Sequence, residues 1–208
     1  MLFATREVAM AETKNVQLPV PIQKGEMSLE EAILNRRSQR NFVNKDLDWA
    51  QIGQLLWAAQ GITAKKGGYE LRSAPSAGAL YPMEIYLVNK EGLFRYMPSS
   101  HSLEVLAQED LRPALAAAAL GQGSVVEAPL DIVICTVYQR VTVKYAERGI
   151  RYAHIEAGHV AENIHLQAVA LGLGSVPIGA FDDEAVKRAL SLPSEHEPLY
   201  IIPIGYAN

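Results

Sequence analysis

The chain has 208 residues, 49% of them hydrophobic and 20% charged, with a formal net charge of −4. That length supports one substantial core and falls short of two ordinary enzyme domains. Mild acidity disfavours nucleic acid and anionic membranes as partners. The single cysteine, Cys135, excludes an intramolecular disulfide and a four-cysteine zinc site. Within PLDIVICTV it reads as an inert buried thiol.

No stretch approaches the roughly 20 apolar residues needed to cross a bilayer. The opening MLFATREVAMAET ends like a signal-cleavage site but lacks a continuous apolar run before it. A cytoplasmic protein is expected, with an extended arm over 1–25 and one domain over 26–208. Within the arm, LPVPIQ should be extended. Ser28 and Glu31 form a capping box, predicting a helix that ends near the arginines at 36–40. Asp48 starts a second helix, with Ile52, Leu55, Leu56 and Ala59 at helical spacing and Gly61 as its stop. Residues 64–73 are polar and glycine-bearing, hence a loop. EIYLVN and LFRYM read as paired strands around Lys90, Glu91 and Gly92.

Alanine-rich 109–120 predicts a helix with Pro113 in its first turn, and 130–138 a buried strand. Residues 151–173 predict a long helix. Its apolar stripe is Ala157, Val160, Ala161, Ile164, Ala168 and Leu171, and its narrow polar stripe is Glu156, His159, Asn163 and Gln167. A helix this apolar belongs in a core or a subunit interface. Gly172 and Gly174 end it, SVPI forms a short strand, Asp182 caps another helix, and LYIIPIG closes as a strand. The interleaved pattern is α+β, without repeats or linkers.

Four groups of residues carry chemistry. Residues 36–40, RRSQR, offer three guanidiniums and a hydroxyl, enough to grip a phosphate dianion through Arg36, Ser38 and Arg40. The ordinary alternative is a basic helix C-terminus favoured by the macrodipole. Residues 74–82, APSAGALYP, place small side chains between prolines, so that backbone can approach a bound molecule along a fixed extended path; an ordinary loop would read the same. Pro177-Ile178-Gly179 can lay backbone along one face of a ring, or simply turn from helix to strand. A free tyrosine ionises near pH 10 (about 10), too high for a base unless cations stabilise the phenolate, and Lys144, Arg148 and Arg151 flank Tyr145. A solvated basic loop is the plain alternative.

Two Glu-x-x-His pairs, Glu156/His159 and Glu162/His165, have the spacing that ligates two irons in four-helix bundles. Those sites need the pairs on separate helices with two further glutamates. Both pairs here share one helix, so satisfied polar residues are the better reading, and no metal is expected.

Seven segments in this order resemble the FMN-dependent nitroreductase superfamily: LPVP, NRRSQRNF, LLWAAQGIT, PSAGALYP, KYAERGIRY, EAGHVAENIHLQA and GLGSVPIGAF. The nearest branch resembles the SagB/ThcOx-type dehydrogenases, which oxidise azolines to azoles in ribosomal peptides. The resemblance implies a nitroreductase-like three-layer sandwich, its central and mostly antiparallel sheet flanked by helices, in an intertwined homodimer with two FMN sites at the interface. It implies that Arg36, Ser38 and Arg40, with Arg37 between, hold the FMN phosphate and ribityl. By the same resemblance Pro75, Ser76, Ala77, Gly78 and Leu80 lie along the flavin, Pro177, Ile178 and Gly179 cover its ring, and Lys144 and Tyr145 are catalytic. No Lys or Arg follows Arg188, where many family members place further phosphate contacts, so residues 36–40 carry more of that task.

The function expected is ping-pong hydride transfer through flavin N5 to a small-molecule or modified-peptide substrate, with NAD(P)H a candidate donor and oxygen a candidate acceptor. The alternative from another class is a flavin-binding module or a metal-binding helical protein without turnover.

Overall fold

Two capping boxes start the first two helices. For α1 (Leu29–Asn35), Ser28 Oγ accepts from the Glu31 N–H at 3.1 Å while the Glu31 carboxylate accepts from the Ser28 N–H at 2.8 Å. Asp48 and Gln51 repeat the arrangement at the head of α2 (Trp49–Gln60). Each box satisfies two backbone donors that a helix start otherwise leaves bare. The computed structural model describes residues 15–208, so most of the expected arm, 1–14, lies outside the described residues.

The strands before the middle of the chain are β1 (Asn15–Gln17), β2 (Ile62–Lys66), β3 (Tyr69–Arg72), β4 (Met83–Asn89), β5 (Gly92–Met97) and β6 (Ser102–Ala107). Then come α3 (Arg112–Ala118), α4 (Gly123–Glu127), β7 (Leu130–Thr136), α5 (Gln139–Tyr145), α6 (Arg148–Ala170), β8 (Gly174–Ser175), α7 (Asp183–Ala189) and β9 (Glu197–Gly205). Seven strands form one sheet in the order β1-β6-β5-β4-β7-β9-β8, every neighbouring pair antiparallel.

Alternation along the strands sorts side chains to two faces. Ile85, Leu87, Ile132, Ile134, Ile202 and Ile204 pack with α2 and α6 on one side. Tyr86, Val88, Val133, Cys135 and Ile201 pack with α3, α4 and α7 on the other. Strands β4 and β7 read as largely apolar runs because helices cover both their faces. The result is the expected three-layer α+β sandwich. Cys135 is fully buried, and burial pushes its thiol far up, so it stays protonated and inert.

Several local expectations are corrected. Residues 64–73 are not a loop but lie mostly in the β2–β3 hairpin, turned by Gly67 at φ 58° and Gly68 at φ 80°, the two positive values a type I′ turn demands. The segment 74–82 is not extended throughout: residues Ala77–Ala79 coil into a 3₁₀ turn with Gly78 at φ 64°, and Ala79 and Tyr81 are also left-handed. Strand β6 and helices α4 and α5 are additions to the expected elements, and α6 starts at Arg148, about one turn before the expected residue 151. Residues 15–22 are fastened to the domain. Strand β1 pairs with β6, Leu18 is buried, and the Gln54 amide hydrogen-bonds both the N–H and the carbonyl of Ile22. None of the described helices is long and apolar enough to cross a membrane.

Candidate functional site

The chain leaves α1 through Arg36, whose extended φ −56°, ψ 121° directs residues 36–40 towards β8, where Ser38 forms a parallel bridge with Ser175. Gln39 N–H donates to the Ser175 carbonyl at 3.0 Å. An extended segment alternates its side chains, which separates the arginines. Arg36 Nη1 meets His165 Nε2 at 3.1 Å, whereas Arg37 Nη1 turns back to the carbonyls of Leu34 and Arg36 at the end of α1. Arg37 thus does what a basic helix C-terminus ordinarily does, while Arg36 is half-buried and Ser38 and Arg40 are exposed.

His165 lies on α6, is 3% exposed, and also contacts Ser175 Oγ through Nδ1 at 2.5 Å. A guanidinium can only donate, so Nε2 accepts from Arg36 and Nδ1–H donates to Ser175. Burial, reinforced by the Arg36 charge, lowers the imidazole to about 4, so it is neutral near pH 7.

Residues 74–82 meet the Lys-Tyr pair directly. A Cβ built on Gly78 would stand 2.8 Å from Tyr145 Oη and 2.9 Å from Lys144 Nζ, so both groups hang over the one residue whose missing side chain admits them. Helix α5 ends at Tyr145, and the left-handed Ala146 breaks the chain before α6. Tyr145 packs edge-on to Tyr152, with ring centroids 5.1 Å apart, and Lys144 Nζ lies 5.4 Å from the Tyr145 ring centre. Arg148 is directed to Tyr152 instead, donating to its hydroxyl at 3.1 Å, and Arg151 is exposed.

The left-handed turn is held from several sides. Ser76 Oγ accepts from Tyr81 N–H at 2.9 Å, Tyr81 Oη accepts from Arg72 N–H at 3.1 Å, and the Arg72 guanidinium lies 4.6 Å over the Tyr81 ring. Such over-determination is what permits non-glycine residues at positive φ. Pro75 and Gly78 are exposed, Ser76 and Ala77 half-buried, and Leu80 packs against the inner core.

Under this turn sits Glu156 of α6, 2% exposed. Burial raises its carboxyl to about 7, against the opposing pull of Ser76, Arg72 and Gln60. Glu156 Oε1, Gln60 Nε2, Arg72 Nε and Ser73 Oγ are all buried without a hydrogen-bond partner. Nothing in the sequence singled out Gln60, Arg72 or Ser73. A polar residue recurring on a buried helix face is the signal that marks Glu156.

Ile178 exchanges backbone hydrogen bonds with Ile201 at 2.8 and 3.0 Å and is buried on the sheet face covered by α3, α4 and α7, leaving Pro177 half-buried and Gly179 exposed. Its link to the arginine segment is β8, since Ser175 bridges Ser38 only two residues upstream. Glu156 and His165 stand nine residues apart on α6, roughly 14 Å along its axis. One helix therefore backs both groups, the guanidinium end and the small-residue end.

The Glu-x-x-His pairs do not converge. Glu156 and His165 are buried while His159 and Glu162 are exposed, and both nitrogens of His165 are engaged. Among the described residues no group of three or more His, Cys, Asp or Glu is placed to hold a metal ion.

The nitroreductase family model matches residues 33–206. A protein named as a nitroreductase in Methanocaldococcus jannaschii is 38% identical over 203 residues, which are 94% of this chain and 98% of that protein. The microcin B17-processing protein McbC of Escherichia coli is 28% identical over 181 residues, 81% of this chain and 66% of McbC. A solved structure from Ralstonia eutropha JMP134, described as a nitroreductase, is similar with TM-score 0.83 and 30% identity over 96% of this chain and 93% of that one.

Proposed function

The chain belongs to the nitroreductase family and is an oxidoreductase, and from that premise we propose that it depends on FMN, works by ping-pong hydride transfer through flavin N5, and follows the SagB-type dehydrogenase pattern. The observation that carries the reading is the seating of Lys144 and Tyr145 over Gly78. That brings a proton acceptor and a cation onto the segment best suited to lie against a planar ring. The 28% identity to McbC agrees with this branch, although the chain spans just under two thirds of McbC.

The residues fit such a cofactor. One of the five N–H donors of Arg36 goes to His165, and among the described residues the rest remain for an anion. The neutral imidazole behind it adds no competing charge. Residues 76–78 present backbone without bulky side chains, and Gly78 is exposed. In this reading Arg36, Ser38 and Arg40 hold the phosphate and ribityl, Arg36 on the phosphate, with Arg37 at the edge of the group. Pro75, Ser76, Ala77, Gly78 and Leu80 border the ring on one side, and Pro177, Ile178 and Gly179 on the other. When bound, FMN supplies reversible two-electron exchange at N5.

The chain's own contribution is orientation and proton handling. Tyr145 is the base that takes a proton from the substrate carbon next to the bond that gives up hydride. The Lys144 ammonium, 5.4 Å from the Tyr145 ring centre, offers a cation beside the negative charge that develops in the reaction. The substrate is a small molecule or a modified peptide, and the electrons pass on to oxygen. The same site run with NAD(P)H as donor is a nitroreductase.

A homodimer completes the proposal. Leu29, Ile33 and Leu34 of α1 are 61%, 55% and 69% exposed. Leu29 also borders a groove of about 330 Å³ lined by Met27, Trp57 and Leu166. An apolar surface of this kind is suited to a second copy of the chain, in a cytoplasmic setting.

The test is direct. The purified chain should be yellow or should take up FMN, and anaerobic mixing with NADH or NADPH should bleach it in the reductase mode alone. A colourless protein that refuses excess FMN ends the reading.

A further inference from the structure

We infer that His165 is a positioning residue for the phosphate clamp: it holds the Arg36 guanidinium from behind and thereby sets a preference for phosphorylated over unphosphorylated flavin. This rests on the FMN reading and adds to it a residue that touches neither cofactor nor substrate.

Three observations carry it. The imidazole is buried at 3% exposure on a helix whose neighbouring inward residues, Ala161, Ile164 and Ala168, are apolar. For stability alone an aliphatic side chain would serve there without the desolvation penalty of a buried ring. Both ring nitrogens are used, Nε2 for Arg36 at 3.1 Å and Nδ1 for Ser175 Oγ at 2.5 Å, which defines the tautomer and the ring plane. Ser175 is itself 1% exposed, and its backbone is joined to residues 38 and 39. The guanidinium, its backing ring and the backbone that carries Ser38 therefore form one closed unit.

The consequence is geometric. Arginine has many rotamers, and freezing them on binding opposes affinity. A guanidinium already pinned at one nitrogen presents its remaining donors in a fixed fork, which suits a phosphate. Without the imidazole acceptor Arg36 keeps its charge but loses that orientation. Flavin lacking the phosphate gains nothing from the fork, so the loss falls on FMN alone.

The experiment is flavin-fluorescence titration of the full chain, stripped of flavin, with FMN and with riboflavin in parallel. Wild type should favour FMN. His165→Leu should reduce the FMN-over-riboflavin ratio by roughly tenfold with riboflavin affinity unchanged. His165→Gln, whose amide can accept from Arg36 and donate to Ser175, should restore most of the ratio. In an Arg36→Ala background His165→Leu should change nothing further. If His165→Leu keeps the wild-type ratio, or weakens both ligands equally, the inference is overturned. Should that variant fail to fold, Ser175→Ala decides. It frees the ring to turn and should lower the ratio; an unchanged ratio overturns the inference. A wild-type protein that binds neither flavin instead overturns the FMN reading.

Discussion

Tyr145 Oη stands 2.8 Å from the point where a Cβ on Gly78 would be. The relationship joins two segments more than sixty residues apart, and it makes Gly78 answerable to two demands at once. Its φ of 64° is left-handed, and the space above it is taken by the Tyr145 hydroxyl and the Lys144 ammonium. Gly78→Ala should therefore lower stability by about 1 kcal/mol from the backbone alone. Its larger effect should be on turnover, because the two flexible side-chain ends must move off the new methyl. Thermal melts alongside steady-state rates check this. Full turnover in Gly78→Ala would show that the seating of Tyr145 does not matter to the reaction.

Tyr145→Phe keeps the edge contact with Tyr152 and removes only the hydroxyl. In a reaction that needs a proton taken from the substrate, kcat should fall by about 10²–10⁴-fold. Lys144→Met should lower it by a smaller factor, since it removes the neighbouring cation but leaves the base in place. Reduction of the flavin by a nicotinamide requires no such base and should be nearly unchanged in Tyr145→Phe. An unaltered rate with every substrate would remove Tyr145 from the mechanism.

The parts of this fold that the chain announces locally were legible in it. Ser28–Glu31, the cap at Asp48 and that at Asp182 are side-chain to backbone contacts within three residues, and all three helices start where those residues stand. Strands β4 and β7 show as apolar runs for the same local reason. What escaped depends on contacts distant in sequence. Strand β6 lies between β5 and β1, and its pairing with β1 joins residues 102–104 to residues 15–17, more than eighty positions away. The hairpin β2–β3 is short and mostly exposed, so its brief Tyr69/Leu71 alternation is a weak signal beside Gly67-Gly68. Likewise RRSQR was readable as an anion clamp, but the division of work between Arg36 and Arg37 follows from His165, 129 residues away.

The apolar surface of α1 offers a test of assembly. Leu34 is 69% exposed, so Leu34→Glu should leave the isolated fold intact while placing a charge on the proposed contact between copies. Size-exclusion chromatography with light scattering should show the wild type as a dimer and the variant shifted towards monomer. Flavin retention should fall in parallel, because the proposed site lies at that boundary. A monomeric wild type would remove the proposed dimer, and a variant dimer as tight as wild type would place the boundary elsewhere.

The buried Glu156 carboxyl leads to a pH prediction whose sign can be worked out. Its ordinary value of 4.5 rises to about 7 in the fold, chiefly through burial. The folded protein thus holds a proton that the unfolded chain has released across that interval. The stability contributed by the neutral carboxyl is fully present below pH 4.5 and is lost as pH rises through about 7. Glu156→Gln cannot ionise and keeps the shape. Denaturant unfolding should find variant and wild type alike near pH 4.5, with the variant gaining up to about 3 kcal/mol by pH 8. Other buried acids, Asp131 above all, add slopes of their own, and comparing the two proteins at each pH cancels them. Parallel stability profiles from pH 4.5 to 8 would mean that Glu156 ionises in the fold as freely as in water, and that the orphaned oxygen beneath Ser76 has a partner after all.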